Sequence, residues 1–168
     1  KPMTLLFRYI HGDNNEKALL NGYNVQEADA FVVPRFLFNP TNAGNALERL
    51  KDYFDEEYGQ KIYDLYKDRI EKDAFNAFNE IISVYWFIMP HHTWSNSAIA
   101  NGETVYRYQF TKENGYHGTY HSGEMVYCYN NFAKQYKDFA YNESDYQLRK
   151  IMSNYWANFA KNGDPNGE

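Results

Sequence analysis

His121 is the residue of this chain best suited to transfer protons. It lies in the segment Gly118–Gly123, which reads GTYHSG and follows a strand-like run. Histidine has the side-chain pKa closest to neutral, so it is the usual general acid and base in catalysis. Glycines permit sharp turns and let a ligand approach the backbone closely. The segment is therefore a candidate catalytic loop, although one histidine between glycines is a weak signal by itself.

The other histidines offer weaker alternatives. His117 and His121 are four residues apart with Glu124 nearby, a spacing that binds metal when a helix holds both imidazoles on one face. The three glycines around them disfavour a helix, so a metal site is the minor alternative and no cofactor is expected. His91 and His92 are adjacent on a predicted helix and point to different faces, which favours ordinary structural roles.

The chain has no evident nucleophile. None of its serines lies in a Gly-x-Ser-x-Gly turn, the strand-to-helix elbow that exposes a catalytic hydroxyl. Ser122 is adjacent to His121, and neighbours in sequence cannot easily share a nucleophile–base hydrogen bond. Cys128 lies between two tyrosines, which predicts an inert, buried thiol. The chain thus carries a candidate base with nothing for it to activate.

A candidate acid follows an earlier run of apolar residues. Residues 17–23 are compatible with a buried strand, and Glu27 and Asp29 come just beyond it. Open α/β sheets place functional groups past the carboxyl ends of their strands. The alternative is that both acids lie in the first turn of the next helix and stabilise its dipole. From the residues alone, this second interpretation is favoured.

The remaining pattern predicts a parallel sheet flanked by helices. Thr104–Phe110 is the clearest strand, because β-branched and aromatic residues alternate with polar ones. Helical spacing of apolar residues appears over 46–58, 61–70 and 73–89. Pro90 is expected to interrupt or kink the last of these helices, and a further leg should run on to Gly102. Strand–helix–strand order with long crossovers indicates an α/β fold.

A final helix is predicted from Ser144 to Gly163. Ser144 and Gln147 have the spacing of a capping box, in which two side chains close reciprocal hydrogen bonds with the backbone. Gly163 and Pro165 then end the helix.

Composition excludes several classes of protein. The formal net charge of −5 favours neither nucleic acid nor an anionic membrane, and the longest apolar run, Val84–Met89, is too short to cross a bilayer. A single cysteine gives no internal disulfide, which slightly favours the cytoplasm without excluding secretion. Aromatic residues make up 19% of the chain, and half-buried packing is a better expectation for them than an aromatic-lined cleft.

Several of these motifs together resemble a known family. The strand Tyr106–Phe110 and the segment Gly118–Tyr127 look like the strand and histidine loop of the type-B carboxylesterases, which include para-nitrobenzyl esterases and cholinesterases. Tyr155–Asn166, which reads YWANFAKNGDPN, is similar to the late helix and the ending of that family. Leu20–Ala28 resembles its acid loop. The matches occur in the order of the family and span most of the chain.

The resemblance implies an α/β-hydrolase that hydrolyses carboxylic esters through a Ser-His-Glu acyl-enzyme mechanism. It implies that His121 is the general base and later the general acid, and that Glu27 orients the imidazole. Glu124 is then a structural acid near the histidine loop. Three positions depart from the family pattern: Gln26, Ala28 and Thr119. The first two flank the acid, so Asp29 is kept as its alternative.

The resemblance also implies that part of the enzyme lies elsewhere. The serine elbow and the glycine-rich oxyanion loop belong to the N-terminal part of the family, so residues 1–168 are expected to be a C-terminal segment of a single α/β-hydrolase domain with an incomplete sheet. Its partners would be a small-molecule ester and the serine-bearing N-terminal part, and the segment alone should be inactive. The competing hypothesis is a non-catalytic binding or adhesion member of the same fold family.

Overall fold

The computed structural model describes residues 5–13, 15–113, 119–132 and 141–167. Within them the elements follow in the order α1 (Leu5–Ile10), β1 (Ala18–Asn24), α2 (Asp29–Arg35), α3 (Ala46–Phe54), α4 (Glu56–Ser83), a π-helical turn (Val84–Ile88), α5 (Met89–Ala100), β2 (Thr104–Phe110), α6 (Met125–Cys128) and α7 (Glu143–Asn162). They form two compact units. The strand unit comprises residues 1–27 and 87–168, and the helical unit comprises residues 28–86.

The two strands pair in parallel, as the sequence predicts. Their register runs from Ala18 opposite Thr104 to Asn24 opposite Phe110. A crossover of about eighty residues separates them in the chain, and such long crossovers are what parallel pairing requires. Because the strands are parallel, their carboxyl ends lie at the same edge. The segments that follow β1 and β2 therefore emerge side by side.

Gly22 allows the aromatic ring of Tyr108 to lie across the sheet. These residues are partners in the β-ladder, and a Cβ atom at position 22 would overlap the tyrosine ring. The ring contacts Trp156 edge-to-face, with centroids 5.0 Å apart. A side chain at position 22 would therefore displace a ring that joins β2 to α7.

Apolar residues of α2, α3 and α4, together with Ala28 at the N-cap of α2, build the core of the helical unit. The buried members are Ala28, Val32, Ala46, Leu50, Ile70, Ala74, Ala77, Phe78, Ile81 and Ile82. Burying each large side chain contributes about 1.5–3 kcal/mol. The predicted helix start at Asp73 is confirmed, because its backbone leaves helical geometry and its carboxylate accepts from Asn76 N. The preceding helical segment, predicted over 61–70, begins earlier, at Glu56.

The helix is not interrupted at Pro90. Instead, a π-helical turn precedes the proline, and an α-helix continues through it. The turn from Val84 to Ile88 is π-helical, and Pro90 is the second residue of α5. Proline has no N–H, and its ring conflicts with the carbonyl four residues earlier, so a local widening of the helix accommodates it. The predicted second leg is confirmed: α5 ends at Ala100, Asn101 is its C-cap, and Gly102 follows.

The N-cap of the final helix lies two residues before the predicted one. Asn142, not Ser144, is the N-cap, and Asp145 completes the capping box. Burial raises the pKa of Asp145, but hydrogen bonds from Asn142 N and Tyr127 Oη, together with nearby Lys112, outweigh it and hold that pKa below its usual value. The Ser144–Gln147 spacing was thus misleading, because Asn142 and Asp145 have the same spacing and form the capping box instead. The predicted end is confirmed, because Gly163 adopts φ 72°.

Aromatic rings supply much of the strand unit's core. Its buried members are Phe110, Val126, Tyr127, Cys128, Phe132 and Met152. The rings of Phe132 and Tyr141 stack with centroids 3.9 Å apart. Ring packing of this kind fits the expectation that the aromatic residues are mainly structural. Among the described residues, no helix is long and apolar enough to cross a membrane.

Candidate functional site

The acid loop and the histidine loop meet just beyond the paired strands. Past the end of β1, Val25 N donates to Phe110 O at 3.2 Å, which continues the β-ladder by one residue. Gln26 and Tyr120 then form an isolated parallel bridge. Each of these two residues directly precedes a predicted site residue, Glu27 or His121. The bridge therefore places both predicted side chains at the same edge of the sheet.

Glu27 and His121 are at hydrogen-bond distance. Nδ1 of His121 lies 2.7 Å from Oε2 of Glu27. A carboxylate only accepts hydrogen bonds, so the proton in this contact belongs to Nδ1. The Glu27 side chain is 6% exposed and that of His121 is 42% exposed. A buried acid thus holds an imidazole that is still accessible from solvent.

The buried carboxylate of Glu27 is bonded through both oxygens. Asn24 N donates to Oε1 at 2.9 Å, while Oε2 faces the imidazole. A buried charge is tolerated only when it is hydrogen-bonded or paired. The two bonds also prevent the carboxylate from rotating, which fixes the direction in which it meets His121.

A turn with unusual backbone geometry presents His121. Ser122 has φ 67°, in the left-handed region that few residues other than glycine adopt. Gly123 N donates to Tyr120 O at 2.9 Å and closes the turn around the histidine. The Phe87 ring packs against the imidazole with centroids 5.1 Å apart. The turn and this ring contact together restrict the orientation of the imidazole.

Gln26 and Thr119 tie the two loops together. Gln26 N donates to Thr119 O at 3.1 Å, and Thr119 N donates to Gln26 Oε1 at 2.8 Å. The threonine hydroxyl donates to the same amide oxygen at 3.1 Å, and Thr119 is fully buried. Two of the residues that depart from the family pattern therefore bind each other.

Asn24 and Glu124 form a second polar link between the loops. Asn24 Nδ2 donates to Glu124 Oε2 at 2.6 Å and to Tyr120 O at 2.8 Å. Tyr108 Oη donates to the other oxygen of Glu124 at 3.4 Å. Sequence reasoning placed Glu124 here as a structural acid but missed Asn24. A polar residue at the end of a predicted buried strand was the available signal.

The alternative acid, Asp29, lies in the first turn of α2 within the helical unit. Burial raises its pKa to about 6, and its Oδ1 has no hydrogen-bond partner among the described residues. Asp29 therefore has the first-turn position of the helix-dipole interpretation, but its raised pKa shows that the cost of burial exceeds any stabilisation of its charge by the helix. Glu27 does not have that position, because it precedes α2 and its carboxylate faces His121.

The remaining candidates lie outside this contact. Burial lowers the pKa of His91, while His92 is exposed on the same helix. Cys128 is buried, as predicted, and desolvation raises the pKa of its thiol to about 12. His117 is outside the described residues. Among those described, no cluster of three His, Cys, Asp or Glu side chains could hold a metal ion.

Comparison with known proteins identifies similar sequences and a similar fold. The sequence matches the model of the carboxylesterase family over residues 6–168. It is 29% identical to acetylcholinesterase 1 of Caenorhabditis elegans over 101 residues, which cover 56% of this chain and 16% of that protein. The structure resembles the crystal structure of a carboxylesterase from Geobacillus stearothermophilus, with a TM-score of 0.78 and 21% identity.

The structural similarity covers 96% of this chain and 34% of the Geobacillus carboxylesterase. The chain thus spans about a third of that structure's length and a smaller share of the acetylcholinesterase. The predicted α/β-hydrolase fold, with helices around an incomplete parallel sheet, is confirmed by this match.

Proposed function

The chain belongs to the carboxylesterase family, and we propose that it supplies the histidine and the acid of a carboxylic ester hydrolase. The observation that carries the proposal is the 2.7 Å contact between His121 Nδ1 and the buried carboxylate of Glu27. This is the relation between base and orienting acid that acyl-enzyme hydrolysis requires. The substrate would be a small carboxylic ester.

In the proposed reaction, His121 moves protons through its second ring nitrogen, Nε2. It takes the proton of a serine hydroxyl as the serine oxygen bonds to the ester carbonyl carbon. It then gives that proton to the alcohol oxygen as the ester bond breaks, which leaves an acyl-enzyme. A water molecule, deprotonated by the same nitrogen, bonds to the acyl carbon. The bond from that carbon to the serine oxygen then breaks, the carboxylic acid leaves, and the proton returned from Nε2 restores the serine.

Glu27 has a separate role in this proposal. Its carboxylate accepts a hydrogen bond from the Nδ1–H group, which fixes the tautomer in which Nε2 is basic. When the imidazole becomes positively charged, the buried carboxylate stabilises that charge in a site of low dielectric constant. Because Glu27 is itself held by Asn24 N, it need not reorganise during the reaction.

The serine and the oxyanion-hole donors are proposed to come from the N-terminal part of the same enzyme. The chain has no Gly-x-Ser-x-Gly turn, and it covers 34% of the carboxylesterase that it resembles. A base and an acid without a nucleophile have nothing to attack with, so these 168 residues alone should show no esterase activity. No metal or organic cofactor is needed for these steps.

A His121→Ala change tests the proposal in the full-length enzyme. We expect kcat for a para-nitrophenyl ester to fall by about 10,000-fold or more, because histidine knockouts remove the proton transfers of both half-reactions. His11→Ala is the matched control, since His11 is exposed and contacts Phe7. Activity that survives in His121→Ala would contradict the assignment.

Two further measurements separate this proposal from its alternatives. The residue at the nucleophile position of the full-length protein distinguishes an esterase, with serine in a Gly-x-Ser-x-Gly turn, from a binding or adhesion protein in which the serine is replaced. Intact mass spectrometry of the protein from its natural source tests the segment proposal. A single species with the mass of these 168 residues, and no companion chain, would contradict it.

A further inference from the structure

Asn24 occupies the point where the first strand gives way to the acid loop. It is the last residue of β1, it lies opposite Phe110 in the sheet, and it is fully buried. Its backbone N–H donates to Glu27 Oε1 at 2.9 Å, whereas the next N–H, of Val25, donates to β2. Consecutive amides thus serve two purposes, one holding the acid and the other holding the sheet.

Both hydrogens of the Asn24 side-chain amide are directed to the histidine loop. Nδ2 lies 2.8 Å from Tyr120 O and 2.6 Å from Glu124 Oε2. Both partners are acceptors, so the nitrogen and not the oxygen of the amide must face them. Its Oδ1 has no hydrogen-bond partner among the described residues, which shows that the donors determine the orientation.

These two contacts flank the catalytic candidate. Tyr120 directly precedes His121, and Glu124 follows it by three residues. The carbonyl of Tyr120 also accepts from Gly123 N at 2.9 Å, the hydrogen bond that closes the turn. The side-chain amide of Asn24 therefore binds the same carbonyl oxygen that closes the histidine turn. One rigid, buried residue therefore holds the acid with its main chain and the histidine turn with its side chain.

We propose that Asn24 is a positioning residue, which sets the separation between Glu27 and His121 for the reaction proposed above. A neutral amide is suited to this role, because it offers two donors from one atom without adding charge beside two carboxylates. Catalytic side chains must be held within about 0.5 Å of their working geometry, and displacements of about 1 Å can cost about 100-fold in rate. The inference rests on the proposed function of His121 and Glu27.

The competing interpretation is that Asn24 is only a buried structural amide. Asn21 offers a matched comparison, because it lies on the same strand, is 6% exposed, and donates through Nδ2 to His91 O at 3.1 Å and Ser95 Oγ at 3.2 Å. Those bonds tie β1 to α5 and touch neither loop. Replacement of either asparagine by leucine removes both hydrogen bonds that its Nδ2 donates, with little change in side-chain shape.

The test compares Asn24→Leu with Asn21→Leu in the full-length enzyme. We expect Asn24→Leu to lower kcat by about 10- to 100-fold with KM changed by less than about threefold, because the reacting groups are displaced while the ester-binding surface is retained. Asn21→Leu should lower stability but keep kcat of the folded fraction. The far-downfield proton resonance of the His121–Glu27 contact should shift or broaden only in Asn24→Leu.

A rescue experiment with a second substitution keeps the test informative if Asn24→Leu does not fold. Asn24→Asp places two carboxylates against each other. Adding Glu124→Gln lets the new amide at position 124 donate to the new carboxylate at position 24, with the original net charge. We expect the double variant to recover at least about tenfold in kcat over Asn24→Asp alone. Absence of recovery, or equal kcat in Asn24→Leu and Asn21→Leu, would overturn the role of Asn24. Either result leaves the His121→Ala test of the proposed function unaffected.

Discussion

The strand unit and the helical unit bury polar groups in different ways. In the strand unit, buried side chains bond to partners 70 to 100 residues away, as Asn21 does with His91, Asn24 with Glu124 and Glu27 with His121. In the helical unit the core is mainly apolar, and the buried amide of Asn79 has no hydrogen-bond partner at either atom among the described residues.

This difference separates two kinds of structural requirement. Hydrogen bonds have narrow distance and angle limits, so a network of them fixes atoms to within tenths of an ångström. Apolar burial depends on area and volume, and it tolerates rearrangement of side chains as long as the space is filled. The candidate site lies in the unit whose geometry is set by directional bonds, which suits chemistry that depends on distance.

The largest expected effect is the loss of the charged acid in the strand unit. Glu27→Gln keeps the shape of the side chain but presents an amide to His121 Nδ1, and we expect kcat of the full-length enzyme to fall by about 10,000-fold. Glu48→Gln, an exposed change in α3 of the helical unit, is the control. Steady-state kinetics with an ester would measure both, and a decrease of less than about tenfold in Glu27→Gln would argue against its role.

Gly22→Ala should disturb the packing of the strand unit. The added methyl group overlaps the Tyr108 ring, so we expect a loss of about 1–3 kcal/mol in the free energy of unfolding. Gly44→Ala is the comparison in the helical unit, where the new Cβ would lie 3.3 Å from a single side-chain oxygen of Asn42. Hydrogen exchange measured by peptide should rise in β1 and β2 for Gly22→Ala, and equal exchange in both variants would contradict the packing argument.

Asp29→Asn should stabilise the helical unit in a pH-dependent way. The pKa of Asp29 is 3.8 when unperturbed and about 6 in the fold. Between these values the unfolded chain has released a proton that the folded chain retains, so this group lowers stability as pH rises from about 4 to about 6. The asparagine avoids that loss, and we expect a gain of about 1 kcal/mol at about pH 7, after allowing for solvent screening, and none at about pH 3.5.

Urea unfolding at the two pH values checks this expectation. Asp52→Asn, an exposed change in α3, should have the same small effect at both. A gain from Asp29→Asn that is equal at the acidic and the neutral pH would show that its charge is not the cause.

The last comparison uses the same asparagine-to-leucine change that tests Asn24 and Asn21 in the strand unit. Asn79→Leu replaces a buried amide, without partners among the described residues, by an apolar group of similar shape on a helix that also favours leucine. We expect the helical unit to gain about 1 kcal/mol in unfolding free energy, whereas Asn21→Leu should lose stability in the strand unit. If both leucine variants lost stability equally, the contrast between the units would be wrong.

The sequence by itself determined the local elements and the identity of the candidate base. Alternation of aromatic and polar residues predicted β2, and three- and four-residue spacing predicted the helices after Ala46. The glycine-flanked histidine, together with its resemblance to a family, singled out His121. The predictions of helices and strands succeed because secondary structure depends on neighbours within a few residues. The role of His121 stays a prediction.

The tertiary structure decided which distant residues lie together. Through the Gln26–Tyr120 bridge it placed Glu27 at hydrogen-bond distance from His121, a contact that the residues alone did not favour. It showed that Asn142, and not the predicted Ser144, is the N-cap of α7. It also showed that Asn24 links the acid loop to the histidine loop. The bonds from Asn24 and Glu27 to the histidine loop join residues that are 94 to 100 positions apart. The parallel register of β1 and β2, which no local pattern encodes, places these residues within hydrogen-bond distance.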